Sequence, residues 1–283
     1  MEAFRMRAHW TIRLMTMAVV LVLLSFLGVP SAPAQEGQRA RTPIPVPRFP
    51  DGTPNLGWVD PEYKGTWHSG NHQDIQKDVV DPKDGIPFQP WAKALVDYRN
   101  KTDQKDDPNN YCLPGGGTRP TSLMSGWEFI QMPEQKRIVR ILERPTRFFQ
   151  VIYMDGRPHP QEAYELPTWM GHAIGRWEGD TLVVDTVGFN EGHWISRTGS
   201  PRTNMHHVTE RFTRKDYYTL AYEATIDDPG AYTRPWKIAW DIRWEAGEEL
   251  EEVVCMENNK FPDHYEDLAP DHSKAPEDII RQF

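Results

Sequence analysis

The chain has 283 residues, and its 32 Lys+Arg against 41 Asp+Glu give a formal net charge of -9. This acidic balance argues against nucleic acid as a partner, because phosphate binding needs a basic surface. The mean hydropathy of -0.68 excludes a polytopic membrane protein, and 38% hydrophobic residues exclude a wholly disordered chain. The 25 prolines and 11 tryptophans indicate a turn-rich, aromatic fold.

The first 34 residues have the layout of a secretory signal peptide. Three arginines between positions 5 and 13 precede an apolar run over 15–29, and the small residues Ala32 and Ala34 follow it. The apolar run is too short to span a bilayer comfortably, which favours a cleaved signal over an anchor helix. We therefore expect cleavage after Ala34 and a periplasmic or secreted protein that has no membrane attachment afterwards.

The two cysteines, Cys112 and Cys255, form one even pair in the part of the chain that would be exported. In an oxidising compartment such a pair favours a disulfide bond, which would close a loop of about 140 residues. Two separate buried thiols are the alternative. Because no CxxC spacing occurs, the sequence excludes a structural zinc site built on thiolates.

Composition divides the rest of the chain into three parts. Residues 35–64 contain six prolines and predict a Pro-rich arm outside the core. Residues 65–260 predict a single β-rich domain, and residues 261–283 predict a polar C-terminal tail. One helix is predicted near residue 90, because four apolar side chains recur there at three- and four-residue steps after a proline suited to a first turn. These four are Phe88, Trp91, Leu95 and Tyr98.

Short runs of branched and aromatic residues predict the strands of the domain. The runs are 138–143, 148–153, 172–178, 181–187, 208–213, 218–226, 237–244 and 250–256. The last six group into three hairpins, and no helices alternate with them. This pattern predicts a mainly β fold, either an antiparallel lipocalin-like barrel or a curled sandwich.

The densest motif of the chain is WEGDTLVVDTVGFN at 177–190. Further distinctive segments are PRFPDGTPNL at 47–56, PFQPWA at 87–92, DGRPHP at 155–160 and TIDDP at 225–229. With these motifs, residues 47–260 resemble an uncharacterised family of exported bacterial proteins. The resemblance implies export and no particular activity. The chain departs from the family pattern at Arg202, where a histidine is usual, and at His206, where an apolar residue is usual, so a family site that uses side chain 202 is not expected here.

Six ionisable residues are predicted to form a catalytic centre. They are His172, Asp185, His193, His207, Glu210 and Arg211. Asp185 is the most informative of them, because it lies in a run that is apolar on both faces, and a buried carboxylate needs a partner. The partner could be Arg176, Arg211 or a histidine, and a structural ion pair or a solvent-facing position is the alternative.

The chemistry expected of such a centre is acid–base catalysis. A histidine would shuttle a proton, a carboxylate would orient the histidine, and an arginine would hold developing negative charge. No organic cofactor is expected. Three of the histidines, His172, His193 and His207, could bind a divalent metal ion together with a carboxylate, although no short-range spacing such as HExxH supports it.

The sequence thus predicts an exported protein with a polar cavity inside a β-barrel. As an enzyme it would be of the hydrolase or lyase type and act on a small organic or carbohydrate-like molecule. The alternatives are a periplasmic protein that binds a small ligand without catalysis, and an envelope interaction module that uses the proline arm. The enzyme hypothesis requires the ionisable groups to converge on the inward wall of the barrel.

Overall fold

The computed structural model describes residues 44–59, 64–83, 85–142, 147–257 and 259–260. The predicted signal peptide over 1–34 and the predicted tail over 261–283 lie outside the described residues. Of the predicted arm over 35–64, residues 44–59 and 64 fall within them.

Nine strands close into a barrel, in which the spatial order follows the order along the chain. The strands are β1 Gly65–His68, β2 Trp127–Met132, β3 Arg137–Leu142, β4 Phe148–Tyr153, β5 His172–Glu178, β6 Thr181–Val187, β7 His207–Arg214, β8 Thr219–Asp227 and β9 Trp236–Ala246. Because β9 pairs with both β8 and β1, the sheet has no free edge. The prediction of a mainly β barrel is confirmed, and closure excludes the curled sandwich.

One pair of neighbouring strands departs from the predicted antiparallel pattern. β4 and β5 run parallel, and their ladder contains only the pairs Ile152–Ala173 and Tyr153–Ile174. A parallel pair needs a crossover connection rather than a tight hairpin, and residues 154–171 provide it. Within the described residues, positions 148–151 of β4 have no ladder partner in β5, so the barrel wall has a seam here.

Alternation along the strands separates an aromatic interior from a polar exterior. On β9, Trp236, Ile238 and Trp240 are buried while the residues between them are exposed. Successive side chains of a strand point to opposite faces, which explains this two-residue period. The largest fully buried side chains include Trp67, Trp127, Trp244, Phe129, Phe212 and Tyr222.

One predicted strand does not form, and two observed strands, β1 and β2, were not predicted. Residues 250–256 form turns and irregular structure rather than a strand, so β9 has no hairpin partner after it and pairs with β1 instead. The charged sequence at the start of that stretch, with Glu251 and Glu252, offers no second apolar face to bury. The four residues of β1 were not predicted because so short a run carries little periodicity.

The helices are few in the described residues. Helix α1, Pro90–Lys101, confirms the predicted helix, with Pro90 in its first turn and Ala92 and Leu95 buried against the barrel. Helix α2, Glu162–Glu165, is a single turn in the crossover from β4 to β5. No helix in the described part of the chain combines the length and the apolar character that a bilayer span requires.

Residues 44–59 pack against the barrel, which corrects the interpretation of this stretch as an arm outside the core. Leu56 is fully buried, and its carbonyl oxygen accepts a 2.7 Å hydrogen bond from the Trp67 indole. Its backbone N–H donates to Gln131 Oε1 at 2.6 Å. Leu56 therefore belongs to the core.

The predicted disulfide bond is confirmed. Cys112 and Cys255 are joined across 143 positions of sequence, with 5.5 Å between their Cα atoms. In the chain-entropy account, closing so long a loop restricts the unfolded chain by up to about 4–5 kcal/mol. The bond ties the stretch after β9 to the segment between α1 and β2.

Candidate functional site

Three of the predicted site residues meet on the outer wall of the barrel. His172 on β5, Asp185 on β6 and His207 on β7 belong to adjacent strands and share the outward face. A fourth residue, His159, reaches them from the crossover over 154–171. These four residues are called the outer relay below.

Asp185 is the hub of the outer relay. Its Oδ1 lies 2.9 Å from His159 Nε2, and its Oδ2 lies 2.9 Å from His207 Nε2. The Thr209 hydroxyl donates a 3.3 Å hydrogen bond to the same Oδ2. Beyond His159, the relay continues through a 2.8 Å contact between His159 Nδ1 and His172 Nδ1. The partner of this carboxylate is therefore a histidine, one of the alternatives that the sequence left open.

These contacts set the protonation of the relay. Burial opposes ionisation of Asp185, but the hydrogen bonds from His207 and His159 outweigh it and hold the carboxyl pKa at about 2. The hydrogen bond to Asp185 raises the pKa of His207 above its usual 6.5. Burial lowers the pKa of His172, and electrostatic interactions with His159 and Arg157 lower it further. The carboxylate is thus ionised at neutral pH, and His172 is neutral.

The ionised carboxylate dictates the tautomers along the relay. Because a carboxylate only accepts hydrogen bonds, His159 Nε2 must carry the proton that faces Asp185. In a neutral His159 the other nitrogen, Nδ1, is then an acceptor, and His172 Nδ1 must be the donor. The lone pair of neutral His172 consequently lies on Nε2, and among the described residues this nitrogen has no hydrogen-bond partner.

His172 lines a cavity of about 620 Å³ at the seam between β4 and β5. Most of its other lining side chains are apolar, among them Phe148, Phe149, Tyr153, Leu166, Trp169 and Met170. Phe149 is 64% exposed and Leu166 is 74% exposed, so this cavity, called the seam groove below, opens to solvent. A concave apolar site with a few polar groups is typical of small-molecule binding.

Ring stacking holds His172 in place beside the groove. The Tyr153 ring stacks on it, with 5.3 Å between centroids and 24° between planes. The Arg157 guanidinium lies 4.0 Å from the centre of the Tyr153 ring. Its positive charge is attracted to the π face of that ring. His172 is therefore oriented by both its hydrogen bond and its aromatic neighbour.

Glu210 lies inside the barrel and not in the outer relay. Its Oε1 accepts hydrogen bonds from Arg140 Nη1 at 3.1 Å, from the Tyr222 hydroxyl at 2.9 Å and from the Thr121 hydroxyl at 3.4 Å. Burial raises the pKa of Tyr222, and the charge of Glu210 raises it further. These four residues are called the inner cluster below.

His193 lies in a third place, a buried loop cluster with Arg202 and His206. Its Nδ1 accepts a 3.1 Å hydrogen bond from Arg202 Nε. Burial holds the pKa of His193 well below 6.5 and lowers that of His206 to about 3, so both rings are neutral. Gly117, with φ of 55°, passes so close that a Cβ atom there would lie 3.1 Å from His193 Nε2.

Arg211, the last predicted residue, lies on the outer face away from the relay. It donates a 2.8 Å hydrogen bond to Glu178, which also pairs with Arg176. The bond from Arg211 lowers the pKa of Glu178, with Arg176 adding to it. These contacts form a solvent-exposed ion-pair network.

The structure therefore divides the six predicted residues among four environments. The expected convergence on the inward wall is wrong, because the strand that carries Asp185 presents it outward while Glu210 on the next strand points inward. Strand periodicity does not identify His159 as a site residue, because His159 lies in a loop. Its position between two prolines in the DGRPHP motif was the available signal, since such a loop is conformationally restricted.

Within the described residues, no group of three or more His, Cys, Asp or Glu side chains is arranged to hold a metal ion. Comparison of the chain with family models, with curated proteins and with solved structures gave no match.

Proposed function

We propose that this chain is an exported acid–base catalyst, of the hydrolase or lyase type, that acts on a small, largely apolar organic molecule in the seam groove. His172 is the group that transfers the proton. The observation that carries the proposal is the chain of hydrogen bonds from Asp185 through His159 to His172. It ends at an unpartnered Nε2 on a residue that lines the groove.

The relay supports both halves of an acid–base cycle. Neutral His172 accepts a proton at Nε2 from water or from an acidic C–H bond of the substrate. Its Nδ1 proton then moves to His159 Nδ1, where the positive charge lies beside the Asp185 carboxylate. His172 is now neutral with a proton on Nε2. As His172 donates this proton to the leaving group, the proton on His159 Nδ1 returns to His172 Nδ1, so that His172 stays neutral and the starting state is restored.

His207 and Thr209 act on Asp185 rather than on substrate. Their hydrogen bonds to Oδ2 leave Oδ1 to His159 and hold the carboxylate in one orientation. Asp185 is therefore a positioning residue, because through His159 it fixes the tautomer and the direction of His172.

The groove favours an apolar substrate over a carbohydrate. Its aromatic and aliphatic lining offers large contact area to rings and short chains, and His172 is a titratable side chain next to it whose Nε2 has no hydrogen-bond partner among the described residues. Export is supported by the N-terminal sequence pattern and by the disulfide bond, a feature typical of oxidising compartments.

Two chromogenic probes test the proposal without knowledge of the natural substrate. 5-Nitrobenzisoxazole reports abstraction of a C–H proton by a base in an apolar site, and p-nitrophenyl esters report activation of water. The His172→Gln variant should convert at least one probe about 100-fold or more slowly than the unmodified chain, because the general base is lost.

The matched control is His68→Gln, because His68 lies on β1 and bonds to Thr66 and Met124 outside the relay. Its rate should equal that of the unmodified chain. If His172→Gln keeps the full rate on both probes, or if the unmodified chain does not accelerate either, His172 is not the base.

The second candidate function is ligand binding without catalysis, and the apolar groove itself favours it. A binding protein needs the groove but not the free Nε2 lone pair. Native mass spectrometry of protein purified from its own host would then find a copurified apolar molecule, and His172→Gln would leave its occupancy unchanged. Loss of probe turnover in that variant supports the enzyme instead.

A further inference from the structure

Arg140 of the inner cluster has one side of its guanidinium without a partner. The residue is 0% exposed and points into the barrel from β3. Its Nη1 donates to Glu210, but among the described residues Nε and Nη2 have no hydrogen-bond partner. Burying a guanidinium with two unpaired nitrogens costs free energy. A further hydrogen-bond acceptor, beyond the described side chains, is needed to satisfy Nε and Nη2.

The unpaired side is the one best suited to a carboxyl group. Nε and Nη2 are the two nitrogens of one edge of the planar fork, and their N–H bonds run parallel. Two oxygens on one carbon fit this edge as a bidentate pair, an arrangement that gives geometric specificity.

A buried acceptor faces the same region. Gln150 is directly opposite Arg140 in the ladder between β3 and β4, and both point inward. Gln150 Nε2 donates to the Met170 carbonyl, but Gln150 Oε1 has no partner in the described part of the chain. A group that accepts from Arg140 and donates to Gln150 Oε1 would satisfy both of these residues, which are adjacent across the ladder.

The route to this region is the seam groove. Gln150 belongs to the lining of that groove, together with Met170 and His172. It lies in the part of β4 that has no ladder partner in β5, where the barrel wall is incomplete. A small molecule in the groove therefore contacts Gln150, which is the ladder neighbour of Arg140.

We propose that Arg140 and Gln150 form an internal binding site for the carboxyl group of a small aromatic acid. The carboxyl oxygens accept from Arg140 Nε and Nη2. The aromatic body lies against the apolar lining of the seam groove, and the Trp127 and Phe212 rings flank the guanidinium, with centroids 5.8 and 5.7 Å from Arg140 Cζ. This site is separate from the outer relay and goes beyond the proposed catalysis.

The charge of the inner cluster indicates that the acid binds with its proton. The ionisable groups that face Arg140 in the described residues are Glu210 from β7 and Tyr222 from β8, and Glu210 already balances the arginine. A second carboxylate would leave a net negative charge in the core. The protonated carboxyl group avoids this charge, and its O–H has an acceptor in Gln150 Oε1.

The test uses benzoate with the purified chain, and benzyl alcohol as the matched ligand that lacks the carboxyl group. Isothermal titration calorimetry should show saturable binding of benzoate and none of benzyl alcohol at the same concentrations. Because one proton is taken up, the apparent Kd of benzoate should rise by about tenfold for each pH unit above neutrality. The ¹⁵N resonance of Arg140 Nε should shift during the titration.

Two variants and a control locate the site. Glu210→Gln removes the competing charge while keeping an acceptor for Tyr222, so benzoate should bind several-fold more tightly and its pH dependence should disappear. Arg140→Lys loses the bidentate edge, and binding should weaken by about tenfold or more. Arg211→Lys on the outer face is the control and should bind as the unmodified chain does.

Several results would overturn the inference. They are no saturable benzoate binding by the unmodified chain, equal binding of benzyl alcohol, or benzoate binding that leaves the Arg140 resonance unmoved, and each can be measured even if a core variant fails to fold. None of them touches the proposed role of His172, because the chromogenic probes of that role carry no carboxyl group.

Discussion

The carboxylates of Asp185 and Glu210 lie on neighbouring strands but on opposite faces of the barrel wall, and their partners differ in kind. Asp185 is 22% exposed and pairs with two histidines, whereas Glu210 is 2% exposed and pairs with Arg140. Histidine exchanges protons near neutral pH, and arginine does not. The partner of a carboxylate, rather than the choice between Asp and Glu, thus determines whether the carboxylate takes part in proton transfer or holds a fixed charge.

The largest predicted effect is the loss of the inner carboxylate. Glu210→Leu leaves Arg140 charged and unpaired in the core, and we expect a loss of about 3–5 kcal/mol in the free energy of unfolding. Urea denaturation measures it. Glu210→Gln, which retains an oxygen for Tyr222 and Thr121, should lose less. Equal stability of the leucine variant and the unmodified chain would show that Arg140 is paired elsewhere.

A smaller loss is predicted for the outer carboxylate. Asp185→Asn removes a partly exposed charge with histidine partners, and we expect about 1–2 kcal/mol at neutral pH. Because the folded pKa of about 2 lies below the usual 3.8, this contribution is present above pH 3.8 and is lost as the pH falls through 2. Urea denaturation of both chains at several pH values should show the difference closing in that window. A constant difference down to pH 2 would contradict the assignment.

The two end histidines of the relay should titrate on opposite sides of pH 6.5. Since the pKa of His207 is raised, its contribution to stability is complete below 6.5 and is lost as the pH rises through its folded pKa. Since the pKa of His172 is lowered, the folded state loses stability as the pH falls below 6.5. An NMR titration of the ring protons measures both values. In Asp185→Asn the His207 pKa should fall, and no change there would argue against the hydrogen bond.

The smallest effect is expected for the exposed ion pair that neither cluster uses. Arg211→Ala removes the bond to Glu178 on the solvent-exposed surface, where such pairs contribute little to stability. The probe rate should be unchanged, because Arg211 does not touch the relay. A large loss of turnover in this variant would return Arg211 to the catalytic centre that its sequence position suggested.

Much of the barrel could be predicted because strand periodicity is a local property. The bounds of β4, β5 and β6 agree with the predicted runs, since in each of them branched and aromatic residues end at turn residues. The parallel pairing of β4 with β5 could not be predicted. It depends on the path of residues 154–171 and on β9 closing onto β1, which are long-range contacts.

The candidate site divides in the same way. Asp185 could be recognised as an anomaly from its apolar neighbours alone. The face to which it points could not, because Val183 and Val184 are both buried and β6 therefore lacks a clear polar side. His159 and Asp185 are 26 positions apart, and only the folded crossover brings His159 to the carboxylate.

By itself, the sequence determined that this chain is mainly β with a signal-like start, and it singled out Asp185, His172 and His207. These are consequences of composition and short-range periodicity. Only the tertiary structure decided that these three meet outside the barrel, that Glu210 meets Arg140 inside it, and that β4 and β5 leave a seam lined by His172 and Gln150. Strand alternation assigns residues to two faces but does not say which face is inward, because that choice is made when the sheet closes and buries its more apolar side.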